Sequence, residues 1–130
     1  MAKPGFSWLT PVLCVTDLSK SLRHYETVLG FEISWQWSEG AAFDEASKPT
    51  FACVARGECS LFLCENGQGQ AGSWICLNVC NPTELDQIFE EYQKNAADIV
   101  EAPVDCPWGM REMQVRDIDK NVFRIGCPME

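Results

Sequence analysis

Tryptophan is the residue type whose number and spacing most clearly suggest ligand chemistry in this 130-residue chain. The chain has five tryptophans, and four of them lie in three short segments: Trp35-Gln36-Trp37, Ser73-Trp74 and Pro107-Trp108-Gly109. Indole rings are rarely buried completely and offer flat faces for stacking, and a tryptophan between proline and glycine is presented by a loop rather than packed. These segments therefore predict aromatic platforms for a planar ligand.

The charge balance indicates which planar ligands the chain would attract. Nineteen acidic residues against ten basic ones give a formal net charge of -9. Such a surface repels nucleic-acid phosphates and anionic lipids, and it concentrates cations by electrostatic steering. We therefore expect a planar cationic small molecule as the partner, with no nucleic acid and no membrane.

No segment predicts insertion into a bilayer or export. The sequence has no uninterrupted apolar run of the roughly 20 residues that a membrane span requires. The first residues, 1–5, lack the apolar core of a signal peptide. These observations favour a cytoplasmic protein.

The cysteines and the single histidine offer little catalytic chemistry by themselves. The eight cysteines form no Cys-x-x-Cys pair, so we expect them to be reduced, with a zinc site or a redox pair as the alternative. Four of them lie in alternating apolar stretches, where a thiol is expected to be a small buried hydrophobe: Cys14, Cys53, Cys76 and Cys80. His24 falls within a predicted helix and is interpreted as a surface or boundary residue.

The first half of the chain predicts a strand, a helix and three further strands, which position the first tryptophan segment. Asp17 is a helix N-cap, and Gly30 is expected to end the helix. The helix has a buried stripe at helical spacing, formed by Leu18, Leu22, Tyr25 and Leu29. Strands are expected at 8–15, 31–38, 50–55 and 59–64, with a loop at 39–49.

The second half repeats this order. Asn81 is the N-cap of a second helix, with Pro82 at its first position and Glu84 at its third. The buried face of that helix is expected to be Leu85, Ile88, Phe89 and Tyr92. Strands are expected at 73–80, near Ile99, at 112–116 and at 122–126, with a turn at 117–121 and a loop that carries Pro103, Pro107 and Gly109.

The repeat of element order predicts a single α+β domain over residues 1–130, built from two tandem βαβββ modules about 64 residues apart. The modules are expected at about 7–65 and 73–127. One helix covers only one face of each sheet. The other face must therefore close against the other module or against a second chain.

Four segments, taken in order, resemble a known superfamily. They are Pro11-Val12-Leu13-Cys14-Val15-Thr16-Asp17-Leu18, Leu29-Gly30-Phe31, Trp108-Gly109-Met110-Arg111-Glu112 and Val115-Arg116-Asp117-Ile118-Asp119-Lys120-Asn121. From about residue 8 to residue 126, the chain resembles the vicinal-oxygen-chelate superfamily of glyoxalases, ring-cleaving dioxygenases and bleomycin-resistance proteins. The resemblance implies the two-module fold of that superfamily. Lys120 stands where the family usually has glycine, so we expect it at a positive φ, at a cost of about 1 kcal/mol.

The resemblance also locates the metal-binding positions of the superfamily's enzymes. The two histidines and the glutamate of those enzymes are replaced here by Thr10, Trp74 and Arg124. Threonine is a weak ligand, indole has no lone pair to donate, and guanidinium repels a divalent cation. We therefore expect no metal, no other cofactor and no catalytic residues. The alternative is an enzyme with a displaced metal site built from cysteines and carboxylates.

Within the superfamily, the chain resembles the bleomycin-resistance branch through Gly72-Ser73-Trp74, Cys106-Pro107-Trp108-Gly109 and Arg111-Glu112. Members of that branch sequester their drug without modifying it. They form homodimers with exchanged N-terminal strands, in which aromatic side chains of both subunits hold the planar rings of the ligand in two grooves. The resemblance therefore implies a homodimeric, non-catalytic binding protein. An orphan binding or sensor domain for another small molecule is a further alternative.

The resemblance assigns the stacking contacts to aromatic residues. Trp108 and Trp35 correspond to the stacking aromatics, and Trp74 corresponds to a wall of the groove. The partner of Trp108 across the groove is expected to be Trp35, Trp37 or Phe43. For Trp37 and Phe43, packing in the core is the slightly favoured alternative.

A cationic tail requires carboxylates near the groove. Asp44 and Glu45, in the 39–49 loop, are expected to supply them, and Glu39 or Asp105 offers the same charge. The competing interpretation for each is a solvated surface carboxylate.

Overall fold

The computed structural model describes residues 3–38 and 48–129, which form two four-stranded sheets and two helices. The first module contains β1 (Val12–Val15), α1 (Leu18–Thr27), β2 (Glu32–Trp37), β3 (Phe51–Arg56) and β4 (Cys59–Glu65). The second contains β5 (Trp74–Asn78), α2 (Pro82–Lys94), β6 (Asp98–Asp105), β7 (Met110–Arg116) and β8 (Val122–Pro128). The predicted α+β fold of two tandem βαβββ modules is confirmed.

The two sheets have the same topology. The strand order is β1-β4-β3-β2 in the first sheet and β5-β8-β7-β6 in the second. In each sheet the first strand of the module pairs in parallel with the last, and the other neighbours are antiparallel. The repeat in the sequence is therefore a repeat of structure, and each module's first strand lies at an edge of its sheet.

Both helices begin at the residues that the sequence predicts. The Asp17 carboxylate accepts a hydrogen bond from the Lys20 amide at 3.2 Å, and the Asn81 side chain accepts one from the Glu84 amide at 2.9 Å. The Glu84 carboxylate accepts a further bond from the Cys80 amide at 3.2 Å. The first two bonds satisfy amides that have no carbonyl partner in the first turn of each helix, and the third fixes the residue before the cap of α2.

The first helix ends slightly earlier than expected. Its last residue is Thr27, whereas the sequence places the end at Gly30. Gly30 has a φ of +75°, and the Phe31 amide donates to the Tyr25 carbonyl at 2.8 Å, so the glycine turns the chain back towards β2. In the part of the chain that the structure describes, no helix has the length and apolar character needed to cross a membrane.

Both modules share one hydrophobic core. Its members include Leu13, Val15, Leu61 and Leu63 of the first sheet, Met113, Val115, Phe123 and Ile125 of the second, and Leu22, Tyr25, Leu85 and Tyr92 of the helices. Because side chains alternate along a strand, the opposite face of each sheet points away from this core. We call these surfaces open face 1, formed by Trp35, Trp37, Phe51 and Phe62, and open face 2, formed by Trp74, Trp108, Glu112 and Arg124.

Polar contacts tie the two modules together around that core. The Tyr25 hydroxyl of α1 donates to the Asp117 carboxylate, between β7 and β8, at 2.6 Å. The Arg56 guanidinium at the end of β3 forms two hydrogen bonds, at 2.7 and 2.9 Å, with the Glu91 carboxylate of α2. These contacts fix the orientation of one module relative to the other.

The N-terminal segment differs from the prediction of a strand at 8–15. Strand β1 begins only at Val12, after Pro11, which has no amide hydrogen to donate to a neighbouring strand. Residues 3–9 are exposed and have no regular secondary structure. They include three large apolar side chains, Phe6, Trp8 and Leu9, whose exposed fractions are 104%, 84% and 84%.

Strand β6 is longer than the strand expected near Ile99, and the assignment of Pro103 to a loop was wrong. Pro103 lies within β6, which is an edge strand of the second sheet. The register with β7 shifts between Glu101 and Val104, so the strand is irregular where the proline falls. An edge strand with a bulge tolerates a residue without an amide hydrogen.

Two of the four cysteines expected in the core are exposed. Cys53 is buried and Cys14 is partly buried, but Cys76 and Cys80 are exposed. In β5 the core-facing residues are Ile75 and Leu77, so the alternation directs Cys76 outward, and Cys80 lies beyond the strand's end. All eight cysteines belong to the described residues and are free thiols.

The turn before β8 has the backbone conformation that the sequence predicts. Lys120 has a φ of +68°, in the left-handed region that favours glycine. The Asp117 carboxylate accepts hydrogen bonds from the amides of Asp119 and Asn121, both at 2.8 Å, and these bonds hold the turn around Lys120.

Candidate ligand-binding site

Open face 1 has a cluster of three aromatic rings. The rings of Trp35 and Phe51 are nearly parallel, at an interplanar angle of 9° and a centroid distance of 5.8 Å. Phe62 contacts both, with its centroid 5.3 Å from that of Trp35 and 5.4 Å from that of Phe51. Trp37 pairs with Phe51 across the two strands and extends the same face. The first sheet therefore presents a continuous aromatic surface.

A bulge in β2 places both tryptophans of the first segment on this surface. Ile33 packs against the core and pairs with Val54, whereas Trp35 pairs with Cys53, so the register shifts by one residue between them. Without the shift, the period of two would direct Trp35 to the core side, as it does Ile33. The extra residue therefore turns Trp35 and Trp37 to the open face.

Open face 2 is organised around the carboxylate of Glu112. Its side chain is only 13% exposed. One oxygen, Oε1, accepts a hydrogen bond from Nε of Arg124 at 3.0 Å and lies 2.9 Å from Nη2 in the same ion pair. The other oxygen, Oε2, accepts a hydrogen bond from Nε1 of Trp108 at 3.3 Å. The guanidinium carbon of Arg124 lies 5.8 Å from the centre of the Trp108 ring. One carboxylate thus orients both an indole and a guanidinium.

A short turn presents Trp108 beside this carboxylate. The Gly109 amide donates to the Cys106 carbonyl at 3.1 Å, and the Cys106 amide donates to the Met110 carbonyl at 2.7 Å. Gly109 has a φ of +85°, which is accessible to glycine at little cost. The turn leaves Trp108 61% exposed although its ring nitrogen is hydrogen-bonded.

Trp74 lies on the same face at the edge of the sheet. It is the first residue of β5, pairs with Val122 of β8 and is 63% exposed. Two positions further along β5, Cys76 pairs with Arg124. Trp74, Cys76 and Arg124 therefore share one face. Glu112 lies on the same face in β7, the strand next to that of Arg124.

The Cys106 thiol beside Glu112 is held in its protonated form. Burial, and after it the neighbouring Glu112 carboxylate, raise the pKa of the Cys106 thiol. The Cys106 sulfur lies 3.7 Å from Oε1 of Glu112. A thiol with a raised pKa is a weak nucleophile and a weak metal ligand at neutral pH.

The residues at the expected metal positions do not fit a divalent cation. Arg124 carries a full positive charge, and its hydrogen bond with Glu112 raises the pKa of the guanidinium further. Thr10 and Trp74 supply no strong ligand. Across residues 3–38 and 48–129, no group of three or more histidine, cysteine, aspartate or glutamate side chains is placed to hold a metal ion.

The structure places four of the predicted ligand contacts on the two open faces. Trp35 and Trp37, 43% and 51% exposed, lie on open face 1, and Trp74 and Trp108 lie on open face 2. Trp37 does not pack in the core of its own chain, contrary to the slightly favoured alternative. Among the described residues, no ring contact joins the two faces within the chain. Phe43 lies outside the described residues.

Of the predicted acidic residues, only Asp105 lies in the described part of the chain. Asp44, Glu45 and Glu39 lie outside the described residues. Asp105 forms an ion pair with Arg111 at 2.8 Å on an exposed surface.

Sequence reasoning missed several residues of the two faces. Phe51 and Phe62 were placed in strands without an orientation, although their alternation with buried Ala52 and Leu61 indicates that they face outward. Glu112 was considered only as part of a family motif, and Arg124 only as the replacement of a metal-binding glutamate. Their ion pair joins residues on neighbouring strands, which a hairpin register between β7 and β8 could have suggested.

Comparison with known proteins identifies the family. Residues 6–125 match the Glyoxalase/Bleomycin resistance protein/Dioxygenase superfamily. The chain belongs to this superfamily. A comparison with curated protein sequences finds no significant match.

Solved structures agree with the family assignment at the level of fold. TioX from Micromonospora sp. ML1 is similar to this chain with a TM-score of 0.77 and 20% identity, over 95% of this chain and 100% of that chain. A glyoxalase/bleomycin resistance protein/dioxygenase from Nocardioides matches with a TM-score of 0.73 and 17% identity, over 98% of this chain and 87% of that one. Lactoylglutathione lyase from Agrobacterium tumefaciens matches with a TM-score of 0.73 and 16% identity, over 96% of each chain. At these identities the likeness shows the fold alone.

Proposed function

We propose that this superfamily member binds and sequesters a planar cationic small molecule, of the bleomycin type, without modifying it. The observation that carries the proposal is that each of the two sheets has one exposed face with aromatic side chains. Each face belongs to a different module and points away from the core that the modules share. A planar ligand held between open face 1 of one chain and open face 2 of a second would contact indole surfaces on both sides.

The N-terminal segment supports a homodimer. Phe6, Trp8 and Leu9 project from the chain with almost no contact to it, and such exposed apolar groups usually mark an interaction surface. An exchange of these segments between two chains would cover them. The same association would bring together two open faces that lie on different modules, and it would create two equivalent grooves.

The energetics of stacking favour a ring-shaped ligand. Each aromatic pair contributes about 1 kcal/mol beyond the burial of apolar surface. A ligand between Trp35 and Trp108 would gain this twice. The net charge of -9 would also raise the local concentration of a cationic ligand.

A titration with bleomycin tests this proposal. We expect bleomycin to quench the intrinsic tryptophan emission and to give a calorimetric binding signal, with two drug molecules per dimer. Replacing Trp108 with alanine removes one stacking surface and should weaken binding at least tenfold. Ile118→Ala is a matched control, because Ile118 is half exposed but lies in the turn before β8, beside His24.

The control variant should bind as the wild type does. Sedimentation of the free protein should give the mass of a dimer. An absence of both fluorescence quenching and binding heat with bleomycin would exclude that drug, and a thermal-shift screen of other planar cations would then distinguish a binding protein for a different ligand. A monomer at all concentrations would contradict the shared groove.

A further inference from the structure

The Arg124 guanidinium on open face 2 is only partly satisfied by its partner. Nε donates a hydrogen bond to Oε1 of Glu112 at 3.0 Å, and Nη2 lies 2.9 Å from the same oxygen in the ion pair. Among the described residues, Nη1 has no acceptor within hydrogen-bond distance. The side chain is 39% exposed, so part of it is accessible to a ligand.

The geometry of this guanidinium is fixed in advance. Glu112 is held between Arg124 on one side and the Trp108 indole on the other, and most of its surface is buried. An arginine whose side chain is already oriented loses less conformational entropy when it forms a further hydrogen bond. Arg124 therefore presents donors in a defined position beside an exposed indole ring.

Arg111, which lies on the same sheet, is held by two carboxylates instead of one. Arg111 donates through Nε to Asp86 at 3.1 Å and through Nη1 to Asp105 at 2.8 Å. Its donors are divided between two acceptors on the helix side of the sheet. Arg124 differs from Arg111 because it has a single acidic partner, and because it shares open face 2 with Trp74 and Trp108.

We propose that Arg124 is a specificity-determining residue that binds an oxyanion, such as a carboxylate or a phenolate, on the edge of the ring stacked at Trp108. This proposal rests on the proposed binding function and defines its ligand class more narrowly. Guanidinium forms strong, charge-assisted hydrogen bonds with such oxygens. The Arg124–Glu112 pair is neutral as a whole, so the acidic surface can still attract a cationic group elsewhere on the same molecule. The preferred ligand is therefore a planar ring with an anionic oxygen at its edge and a positive charge further away.

Glu112 has a positioning role in this arrangement. It contacts the guanidinium through Oε1 and the indole through Oε2, so its loss would release both. Arg124 would remain charged, but its donors would no longer have a fixed direction. The preference for an oxyanion should therefore fall more than the overall affinity for planar rings.

Three probes with the same ring and different charge test the proposal: 2-naphthoate, 2-naphthamide and 2-naphthylmethylammonium. Calorimetric titration of the full chain with each gives the dissociation constants. We expect the wild type to bind naphthoate about tenfold more tightly than naphthamide, as a charge-assisted bond requires. Arg124→Gln should remove most of this preference and change the affinity for naphthamide by less than about threefold.

Arg116→Gln is the matched control. Arg116 also donates through Nε to one carboxylate, that of Asp98, at 2.9 Å, and it is similarly exposed. It is the last residue of β7, whereas Glu112 lies near the start of that strand. This variant should keep the wild-type preference. Glu112→Gln should reduce the ratio of naphthoate to naphthamide affinity while the affinity for naphthylmethylammonium changes little. Circular dichroism of each variant confirms that the fold is retained.

Two results would overturn the proposal. Equal affinity of the wild type for naphthoate and naphthamide would show that no oxyanion is recognised. An equal loss of affinity for all three probes in Arg124→Gln would show that Arg124 acts only through the shape of the face. Failure of all three probes and of bleomycin to bind the wild type is a separate outcome, which would overturn the proposed function and this inference together.

Discussion

The hydrogen bond between Tyr25 and Asp117 joins the two modules, and its removal gives a quantitative test of how the fold is held together. Tyr25 is fully buried in α1, and its hydroxyl donates to Oδ2 of Asp117 at 2.6 Å. Tyr25→Phe removes this hydroxyl and leaves the ring contacts with Phe31 and Phe123 in place. The variant therefore isolates one polar link between the modules.

The expected cost follows from what remains around the carboxylate. A hydrogen bond to a charged acceptor contributes roughly 1.5–3 kcal/mol. Asp117 keeps three other donors, the amides of Asp119 and Asn121 at 2.8 Å and the Asn121 side chain at 3.0 Å, so it is not left unsatisfied. We therefore expect a loss of about 2 kcal/mol in the free energy of unfolding. Tyr92→Phe is the control, because its hydroxyl donates to a neutral carbonyl, that of Leu29, at 2.8 Å, and its loss should cost about 1 kcal/mol.

The stability lost in the Tyr25→Phe variant should become smaller as the pH rises. Burial, and after it the Asp117 charge, raise the pKa of Tyr25 well above 10 in the folded chain. A group with a raised folded pKa contributes stability that is complete below its unfolded pKa and is lost as the pH rises above it. The wild type should therefore lose stability above about pH 10, whereas the Tyr25→Phe variant lacks this contribution. The difference in the free energy of unfolding between the wild type and the Tyr25→Phe variant should therefore decrease by about 1 kcal/mol between about pH 8 and pH 11.

Urea denaturation at constant protein concentration, at both pH values, measures this gap. The difference between the wild type and the Tyr92→Phe control should decrease with pH in the same way, since burial raises the pKa of Tyr92 to about 12. A gap that stays constant between the two pH values would refute the reasoning about burial. A Tyr25→Phe cost no larger than that of Tyr92→Phe would refute the assignment of a charged acceptor.

Two further substitutions test local features of the fold. Gly30→Ala should lower the free energy of unfolding by about 2 kcal/mol, because Gly30 has a φ of +75° and an added methyl group would displace the ends of the Arg56 and Glu91 side chains, which form an ion pair between the modules. Gly57→Ala, at a φ of +60° with open space around it, should cost only about 1 kcal/mol, and equal costs for the two would contradict the steric argument. Asn81→Ala removes the cap of α2 and should lower the free energy of unfolding by about 1 kcal/mol in the same denaturation assay; an unchanged value would show that the Asn81–Glu84 bond contributes nothing.

Local signals in the sequence predicted the order of the elements and the helix starts. Asp17 and Asn81 cap helices because their side chains bond amides only three residues away, which spacing alone can show. Such features depend on a few neighbouring residues. The positive φ of Lys120 was expected from the resemblance instead, because the family usually has glycine at that position.

The placement of the site residues was harder to predict because it depends on register between strands. Trp35 and Trp37 face outward because of the bulge in β2, and no residue type in the segment predicts that bulge. Pro103 was assigned to a loop because the sequence does not show that β6 is an edge strand. The Arg124–Glu112 pair likewise requires the pairing of β7 with β8.

The most direct test of the shared groove is a complementation experiment with two variants, Trp35→Ala on open face 1 and Trp108→Ala on open face 2. Each homodimer should bind bleomycin weakly, because both of its grooves lack one indole. A mixed dimer, purified with two different tags, has one groove without either indole and one groove with both. We predict that the mixed dimer recovers wild-type affinity at one site per dimer. A mixed dimer that binds no better than either parent would show that each chain builds its site alone and would contradict a groove shared by two chains.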